Sequence, residues 1–373
     1  MNMFHWLWPY WRVSHRLSPF PLPFAPSPTD VREWYLEIDL LATTVNNRLP
    51  QDGRLSAGLH RILIETGIAM SAATSSWDPR SWFALYRYGA DFAETAPKLS
   101  FHAGMQDRDP RVTAISSEEI GAGITCYILR EHLGIDHIAD AYACIQRGEL
   151  EYVDTGSRAR PDYFCEDANG QIVIAESKGT TGTYRKIRNK VDNEGWTQVQ
   201  NVRPVNRPLR SDCGRVVIGT RIRVEGIPRD GETTTIIKDP DGEPSREANP
   251  ESDEPLRLAY AKVLRFAGHD VLAERLLSRR GFGDLMPPIA EVKLPQVLGL
   301  PFLGLGLTPF GDAIGFYGPT GKAILGSKDG SIRSLVDRSL TELRSQPRIG
   351  TQGYVLPNGV MIVHEPETVL GEL

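Results

Sequence analysis

Along the 373-residue chain the spacing of hydrophobic positions changes several times, and each change marks a predicted element. From Asp30 to Phe101 the pattern reads as helical, with Asp30 as a cap and Trp34, Leu36, Ile38 and Leu41 opening an apolar face. A second helix is predicted from Ser56 through Leu59, Ile62 and Leu63, with Gly67 marking a weak point or its end. After a polar break at Gln106 to Pro110 the texture becomes one helix, several strands, another helix and a further strand, ending near Gly226. Asp230 to Pro255 is rich in Asp, Glu, Pro, Gly and Ser, with a short apolar island at Ile236-Ile237, and predicts a largely exposed connection. Leu256, Tyr260, Val263, Leu264, Ala267, Val271, Leu272 and Leu276 then form a helical stripe with a weak point or boundary at Gly268. Strands are expected for the remainder. Asn358-Gly359 is a strong hairpin signal between Tyr354-Val355 and Val360 to Val363, and Gly318 to Gly321 is read as a turn that could close a second hairpin.

These patterns give five segments: an aromatic, proline-rich arm (1–29), a helical N-terminal region (30–110), a core (111–226), a polar linker (227–255) and an α+β C-terminal region (256–373). At about 150 residues per domain, the length predicts two to three domains. Composition adds exclusions. With 40% hydrophobic and 24% charged residues the chain is neither collagen, coiled coil nor disordered throughout. A net charge of -5 excludes a protein that is basic overall but leaves room for a local basic strip.

Cys126, Cys144, Cys165 and Cys213 have no zinc-site spacing, and are expected to be reduced thiols filling apolar space in a cytoplasmic protein. Phe4, Trp6, Trp8 and Tyr10 precede the proline-rich run Pro19 to Pro28, and His5 and Pro9 interrupt the apolar stretch, so a secretory signal is not expected. An aromatic arm on a stiff spacer and a start codon placed too early are both open. Leu294 to Leu307 is too short, and too broken by prolines and glycines, to cross a membrane.

The chemistry concentrates between Arg160 and Gly179. Tyr163 to Cys165 and Gln171 to Ala175 predict two strands, and Asp167 to Gly170 has the composition of the turn between them. An antiparallel pairing would bring Asp162, before the first strand, beside Glu176, at the end of the second. Glu176 and Lys178 share a face, while Ser177 points away and leaves its carbonyl beside them. Two carboxylates and a carbonyl are hard oxygen ligands suited to magnesium, with manganese as a substitute. A lysine beside such an ion could orient or deprotonate an attacking water.

Pro161-Asp162 and Glu176-Ser177-Lys178 together resemble the signature of the PD-(D/E)xK, or restriction-endonuclease-like, nuclease superfamily over roughly the middle third of the chain. Lysine is much scarcer than arginine here, and Gly179 closes the second strand as it commonly does in that family. The resemblance implies an α/β fold with a mixed central sheet flanked by helices. It also implies a magnesium-dependent endonuclease or other phosphodiesterase, most readily a deoxyribonuclease, of restriction, repair or mobile-element defence. Asp162, Glu176 and the Ser177 carbonyl would hold the metal, and Lys178 would act on the water.

The family's first helix often supplies another acid. Here Ser116 to Leu133 reads as that helix, and Glu119 is the candidate, although Ser116 to Glu119 equally forms a capping box. Thr183 to Gln200 reads as the helix after the motif, weakened by Gly195, and Gln198 or its rival Gln200 would stand near the site, as a family glutamine often does, or be simply exposed.

Charge supports a nucleic-acid partner. Between Lys178 and Arg223 there are eleven basic residues against Asp192, Glu194 and Asp212, and Arg185, Lys186, Arg188 and Lys190 are the expected phosphate contacts. The partner expected is DNA, with no membrane, and with homodimerisation or an unidentified protein partner open. The rival expectation is a binding module that keeps the nuclease fold without cleaving; an intact Asp, Glu and Lys speak against it. Gly318 to Lys322 lacks phosphate-loop spacing, Asp239 to Gly242 lacks a calcium ligand ladder, and His132 and His137 cannot share one helical face.

Overall fold

The computed structural model describes residues 35–42, 53–74, 88, 91–92, 99–205, 213–227, 231–238, 252–279, 296–307, 312–326, 331–346 and 353–364. They form two compact units, one of residues 35–70 and 88–255, the other of residues 71–74 and 256–364. The arm at 1–29, the Asp30 cap, Trp34, Arg207, Arg210 and the linker stretch 239–251 lie outside the described residues.

The first unit opens with β1 (Tyr35–Ala42), β2 (Arg54–Gly58), α1 (Leu59–Met70) and β3 (Ser100–Phe101). Next come α2 (Pro110–Glu131), β4 (Ile135–Asp140), α3 (Ala141–Gln146), β5 (Leu150–Tyr152), β6 (Tyr163–Asp167) and β7 (Ile172–Thr180). It continues through α4 (Tyr184–Asn189), a π-helical turn (Lys190–Gly195), α5 (Trp196–Gln200), β8 (Val202–Pro204), β9 (Gly214–Arg221), β10 (Arg223–Val224) and β11 (Thr234–Lys238). Seven strands pair in the order β2-β1-β11-β9-β7-β6-β4, while β3 with β10 and β5 with β8 make two small ribbons. The large sheet is mixed: β7 with β9 and β1 with β11 are parallel, and the other neighbours are antiparallel. The chain is therefore of the α/β class.

Two expectations are corrected in this unit. The N-terminal region is not helical throughout, because 35–42 is a strand of the main sheet, paired with β2 from Tyr35↔Gly58 and parallel to β11. Leu36, Ile38 and Leu40 alternate with Glu37 and Asp39, the two-residue period of a strand rather than the 3.6 of a helix. The helix predicted from Ser56 begins only at Leu59, with Leu59, Ile62 and Leu63 fully buried. The linker is likewise not simply an exposed connection, since β11 lies between β1 and β9 with Ile236 and Ile237 buried. Thr233 to Ile237 is an unbroken β-branched run, which suits a pleated surface whatever its polarity, and Thr235 and Thr220 join hydroxyls across the strands at 2.9 Å.

The helix expected from Ser116 starts at Pro110, with Asp109 as its cap: the Asp109 carboxylate accepts from the Arg111 N–H at 2.8 Å. Ser116 and Glu119 thus lie inside the helix, which overturns the capping box. Ile120, Ile124 and Ile128 are fully buried, as their spacing predicts. The helix lies almost directly on backbone: a Cβ on Gly179 would fall 1.9 Å from the Ser117 carbonyl oxygen, and one on Gly121 would fall 3.0 Å from the Gly179 Cα. On the side toward α1, a Cβ on Gly123 would stand 2.0 Å from the Thr66 hydroxyl. Three glycines therefore set how closely α2 is held between α1 and β7.

The second unit contains α6 (Glu254–Phe266, from Leu256 onward), α7 (Asp270–Leu277), β12 (Gln296–Val297), β13 (Leu300–Leu307), β14 (Ala313–Tyr317), α8 (Gly318–Gly326), α9 (Arg333–Ser345), β15 (Gly353–Val355) and β16 (Val360–Val363). Its strands form an antiparallel sheet in the order β12-β13-β14-β16-β15. Gly268, at φ +84°, separates α6 from α7, and the predicted stripe is buried except that Val271 is exposed and Leu272 half-buried. The Asn358-Gly359 hairpin forms, with Gly359 at φ +79°. Gly318 to Gly321 does not turn a second hairpin but opens α8, because Pro319 suits a first helical turn and apolar residues follow. The expectation of strands alone also missed α9, whose buried Val336, Leu340 and Leu343 recur at helical spacing.

All four cysteines are free and buried. Among the described residues no helix is long and apolar enough to cross a membrane.

The glycine contact gives a stability prediction. Gly179→Ala, whose methyl would meet backbone, is expected to cost roughly 2–3 kcal/mol or more. Gly58→Ala, where nothing lies within 4 Å, should shift the urea midpoint far less. Equal midpoints for the two variants would contradict the close packing of α2 on β7.

Candidate active site

The hairpin that carries the motif is built locally. The Asp167 carboxylate accepts from the N–H groups of Asn169 and Gln171, both at 2.8 Å, and Gly170 takes φ +74°, which closes the turn between β6 and β7. The register runs Glu166↔Ile172, Cys165↔Val173, Phe164↔Ile174 and Tyr163↔Ala175, so the next positions to face each other are Asp162 and Glu176. Beyond Ala175, β7 continues to Thr180 with only β9 as a strand neighbour. Polar groups that a strand would otherwise pair are met there by side chains.

The Asp162 N–H donates to Glu176 Oε2 at 2.8 Å, and the Ser177 N–H donates to Asp162 Oδ2 at 3.0 Å. In an extended strand the N–H and C=O of one residue point the same way, so the Ser177 carbonyl is aimed to the Asp162 side as well. The Ser177 hydroxyl faces away and accepts from Thr125 of α2 at 3.0 Å. Lys178, two residues from Glu176, donates through Nζ to Glu176 Oε1 and to Gln198 Oε1. Gln198 Nε2 in turn donates to the Arg160 carbonyl at 2.8 Å, tying α5 to the segment that leads into Asp162.

The structure thus brings together Asp162, Glu176, Ser177, Lys178 and Gln198, and it is Gln198 rather than Gln200 that reaches the lysine. Glu119 accepts from the hydroxyl of buried Tyr88.

Burial sets the electrostatics. Asp162 is exposed, but Glu176 is only 1% exposed, and that burial, with the Asp162 charge beside it, pushes the Glu176 carboxyl up to about 8; the Lys178 ammonium offsets part of the rise. Two neighbouring carboxylates and a strand carbonyl, with one buried acid held well above its usual range, form a donor set that a divalent cation would suit. Asp162, Glu176 and the Ser177 carbonyl are the groups that would hold it.

Sequence reasoning read Gly195 only as a weak point of the helix. It sits in the π-helical turn, where a Cβ would meet Val217 Cγ1 of β9 at 2.6 Å, so glycine lets this helix pack against β9, with Glu176 Cγ in ordinary contact at 3.4 Å. The signal was present as a glycine in a helical stretch, but its reason lies in a strand neighbour.

The basic run divides into distinct uses. Arg185, Lys186 and Arg188 are exposed on α4; the first two make no ion pair among the described residues, and Arg188 reaches Asp192 at 3.4 Å. Lys190 is half-buried and braces β7 to α2 by donating to the Gly179 carbonyl at 3.1 Å and to Glu118 at 3.3 Å. Arg215 and Arg221 are buried and donate to backbone carbonyls, while Arg203 pairs with Glu151 and Arg223 with Glu232. Those two acids lie outside the counted window, so the sequence count overstates the free positive charge.

Compared with known proteins, the chain matches no family model, no curated protein and no solved structure.

A pH prediction follows from Glu176. Its carboxyl keeps a proton to about pH 8 in the folded, metal-free protein but loses it near the ordinary 4.5 when unfolded. The native state is then the proton-richer one between these values, so stability falls as pH rises through that window and levels off above it. Glu176→Gln removes this loss, and in EDTA the variant should gain on wild type by on the order of 3 kcal/mol between pH 5 and pH 8. Thermal melts of both proteins across that range check it.

Proposed function

We propose that the protein is a magnesium-dependent nuclease, a deoxyribonuclease of the PD-(D/E)xK type, that hydrolyses phosphodiester bonds. The observation that carries this reading is the β6–β7 register, which sets Asp162 against Glu176 with Lys178 on the Glu176 face. The order of elements around it supports the same reading. Apart from α3 and β5 between β4 and β6, and β8 before β9, the chain from α2 to β9 runs helix, three antiparallel strands (β4, β6, β7), the α4–α5 helix and a strand parallel to the third. A mixed sheet in this order supports the reading of a restriction-endonuclease-like core.

In this reading Asp162, Glu176 and the Ser177 carbonyl hold the cation, magnesium or its substitute manganese. The ion, when bound, offsets the negative charge that builds on the phosphoryl oxygens and the leaving oxygen. Lys178 is held by Glu176 and Gln198 and orients the attacking water; Gln198 fixes the ammonium through its own tie to Arg160. Arg185, Lys186 and Arg188, exposed on α4, provide charge for the phosphate backbone.

Cleavage assays with single- and double-stranded DNA and RNA, in magnesium and in EDTA, test the reading. Wild type should cut only with magnesium or manganese, and Lys178→Ala should cut about 10²–10⁴-fold more slowly while melting normally. Magnesium should also raise the melting temperature of wild type and not that of Glu176→Gln. A protein that neither cuts nor is stabilised by magnesium would favour a binding module that keeps the fold.

A further inference from the structure

We propose that Tyr142 and Arg160 form a stacking platform that receives an unpaired nucleobase beside the carboxylates, so that the substrate is engaged as a single strand. The proposal rests on the nuclease reading of the same site and adds the strand state of what is cut.

Tyr142 is the second residue of α3 and, at 45% exposure, among the most exposed large hydrophobic residues described. The Arg160 guanidinium lies over its ring, 4.1 Å from the centroid, and Arg160 is itself exposed. Arg160 forms no ion pair among the described residues, so its charge is free to meet a phosphate. Arg158, exposed on the same segment and also without an ion pair among the described residues, adds a second cation.

Both members of the stack are tied to the candidate site by backbone hydrogen bonds. The Ala141 N–H, one residue before Tyr142, donates to the Asp162 carbonyl at 3.0 Å. The Arg160 carbonyl accepts from Gln198, the residue that also holds Lys178. A ring and a guanidinium are thus stacked on backbone that those hydrogen bonds tie to Asp162 and to Gln198.

An arginine over an exposed tyrosine contributes little stability by itself at a wet surface. The same pair is the surface on which nucleobases stack, since every base has a π-face and the guanidinium adds a planar cation. A base inside a duplex already has both faces covered, so only an unpaired or terminal base can use this surface.

The test measures fluorescence anisotropy of the full chain in EDTA with labelled single strands of DNA and RNA and with a covalently closed circular duplex of DNA, which has neither unpaired nor terminal bases. Wild type should prefer the single strands. Tyr142→Ala should lose about tenfold in that affinity, and Tyr142→Phe, which keeps the ring, should stay within about twofold. A 2-aminopurine base in the strand should be quenched by wild type and by Tyr142→Phe but not by Tyr142→Ala, a signal that a merely structural role would leave unmoved.

Unchanged single-strand binding by a normally melting Tyr142→Ala, or tighter binding of the closed duplex by wild type, would overturn the platform. The two proposals separate cleanly. Magnesium-dependent cutting that Lys178→Ala abolishes, with Tyr142→Ala indifferent, removes the platform and keeps the nuclease. Tyr142-dependent binding of single strands without any cutting removes the nuclease and keeps the platform.

Discussion

The close approach of α2 to β7 is the contact on which the rest of the candidate site depends. Helix backbone meets strand backbone at Gly121 and Gly179, with no side chain between them. A contact of that kind has little slack, because any added atom must displace main chain rather than rotate away. It fixes the height and direction of β7, and β7 carries Glu176, Ser177 and Lys178 in consecutive positions. On one face Ser177 is held by Thr125 of α2; on the other, Glu176 and Lys178 meet the helix that follows. On the opposite face Gly195 lets the π-helical turn pack against Val217 of β9, beside the acid.

Within that frame the polar groups answer one another. Because β6 stops pairing at Tyr163, the last stretch of β7 has one open side, and the Asp162 carboxylate takes the Ser177 N–H that would otherwise face a strand. Glu176 accepts from the Asp162 N–H and from Lys178, yet burial still raises its carboxyl to about 8. A buried acid left partly uncompensated is a destabilising feature of the metal-free fold, and such features concentrate where a protein does chemistry. Gln198 extends the network outward to Arg160, and Arg160 reaches the surface against Tyr142.

Positive charge is distributed by use rather than by count. Of the run between Lys178 and Arg223, Arg215 and Arg221 are structural and buried, Lys190 is a brace, and Arg203 and Arg223 are matched by acids brought from outside the run. What remains outward on α4 is Arg185, Lys186 and Arg188, with Arg158 and Arg160 on the segment before β6. The outward charge is therefore a smaller set of cations on short, defined elements than the raw sum implied.

What the amino-acid sequence determined by itself was whatever depends on neighbours a few residues away. The Asp167 to Gly170 turn, the strands on either side of it, the Asn358-Gly359 hairpin, the buried face of α2 and the α6 stripe all follow from short-range spacing and turn chemistry. The opposition of Asp162 and Glu176 belongs here too, because a two-strand hairpin fixes its own register once its turn is set. Only the tertiary structure decided the rest. The alternation of β1 and the β-branched run of β11 suit strands, but their pairing with each other across nearly two hundred residues, which puts β11 between β1 and β9, is not legible in either segment. Where α2 begins was misjudged because Ser116 and Glu119 imitate a cap that Asp109 provides. The fates of Lys190, Arg203 and Arg223, the reach of Gln198 to Lys178 and the depth at which Glu176 is buried all depend on atoms distant in the chain. Charge, burial and close approach are properties of a neighbourhood, and a neighbourhood exists only once the chain has folded.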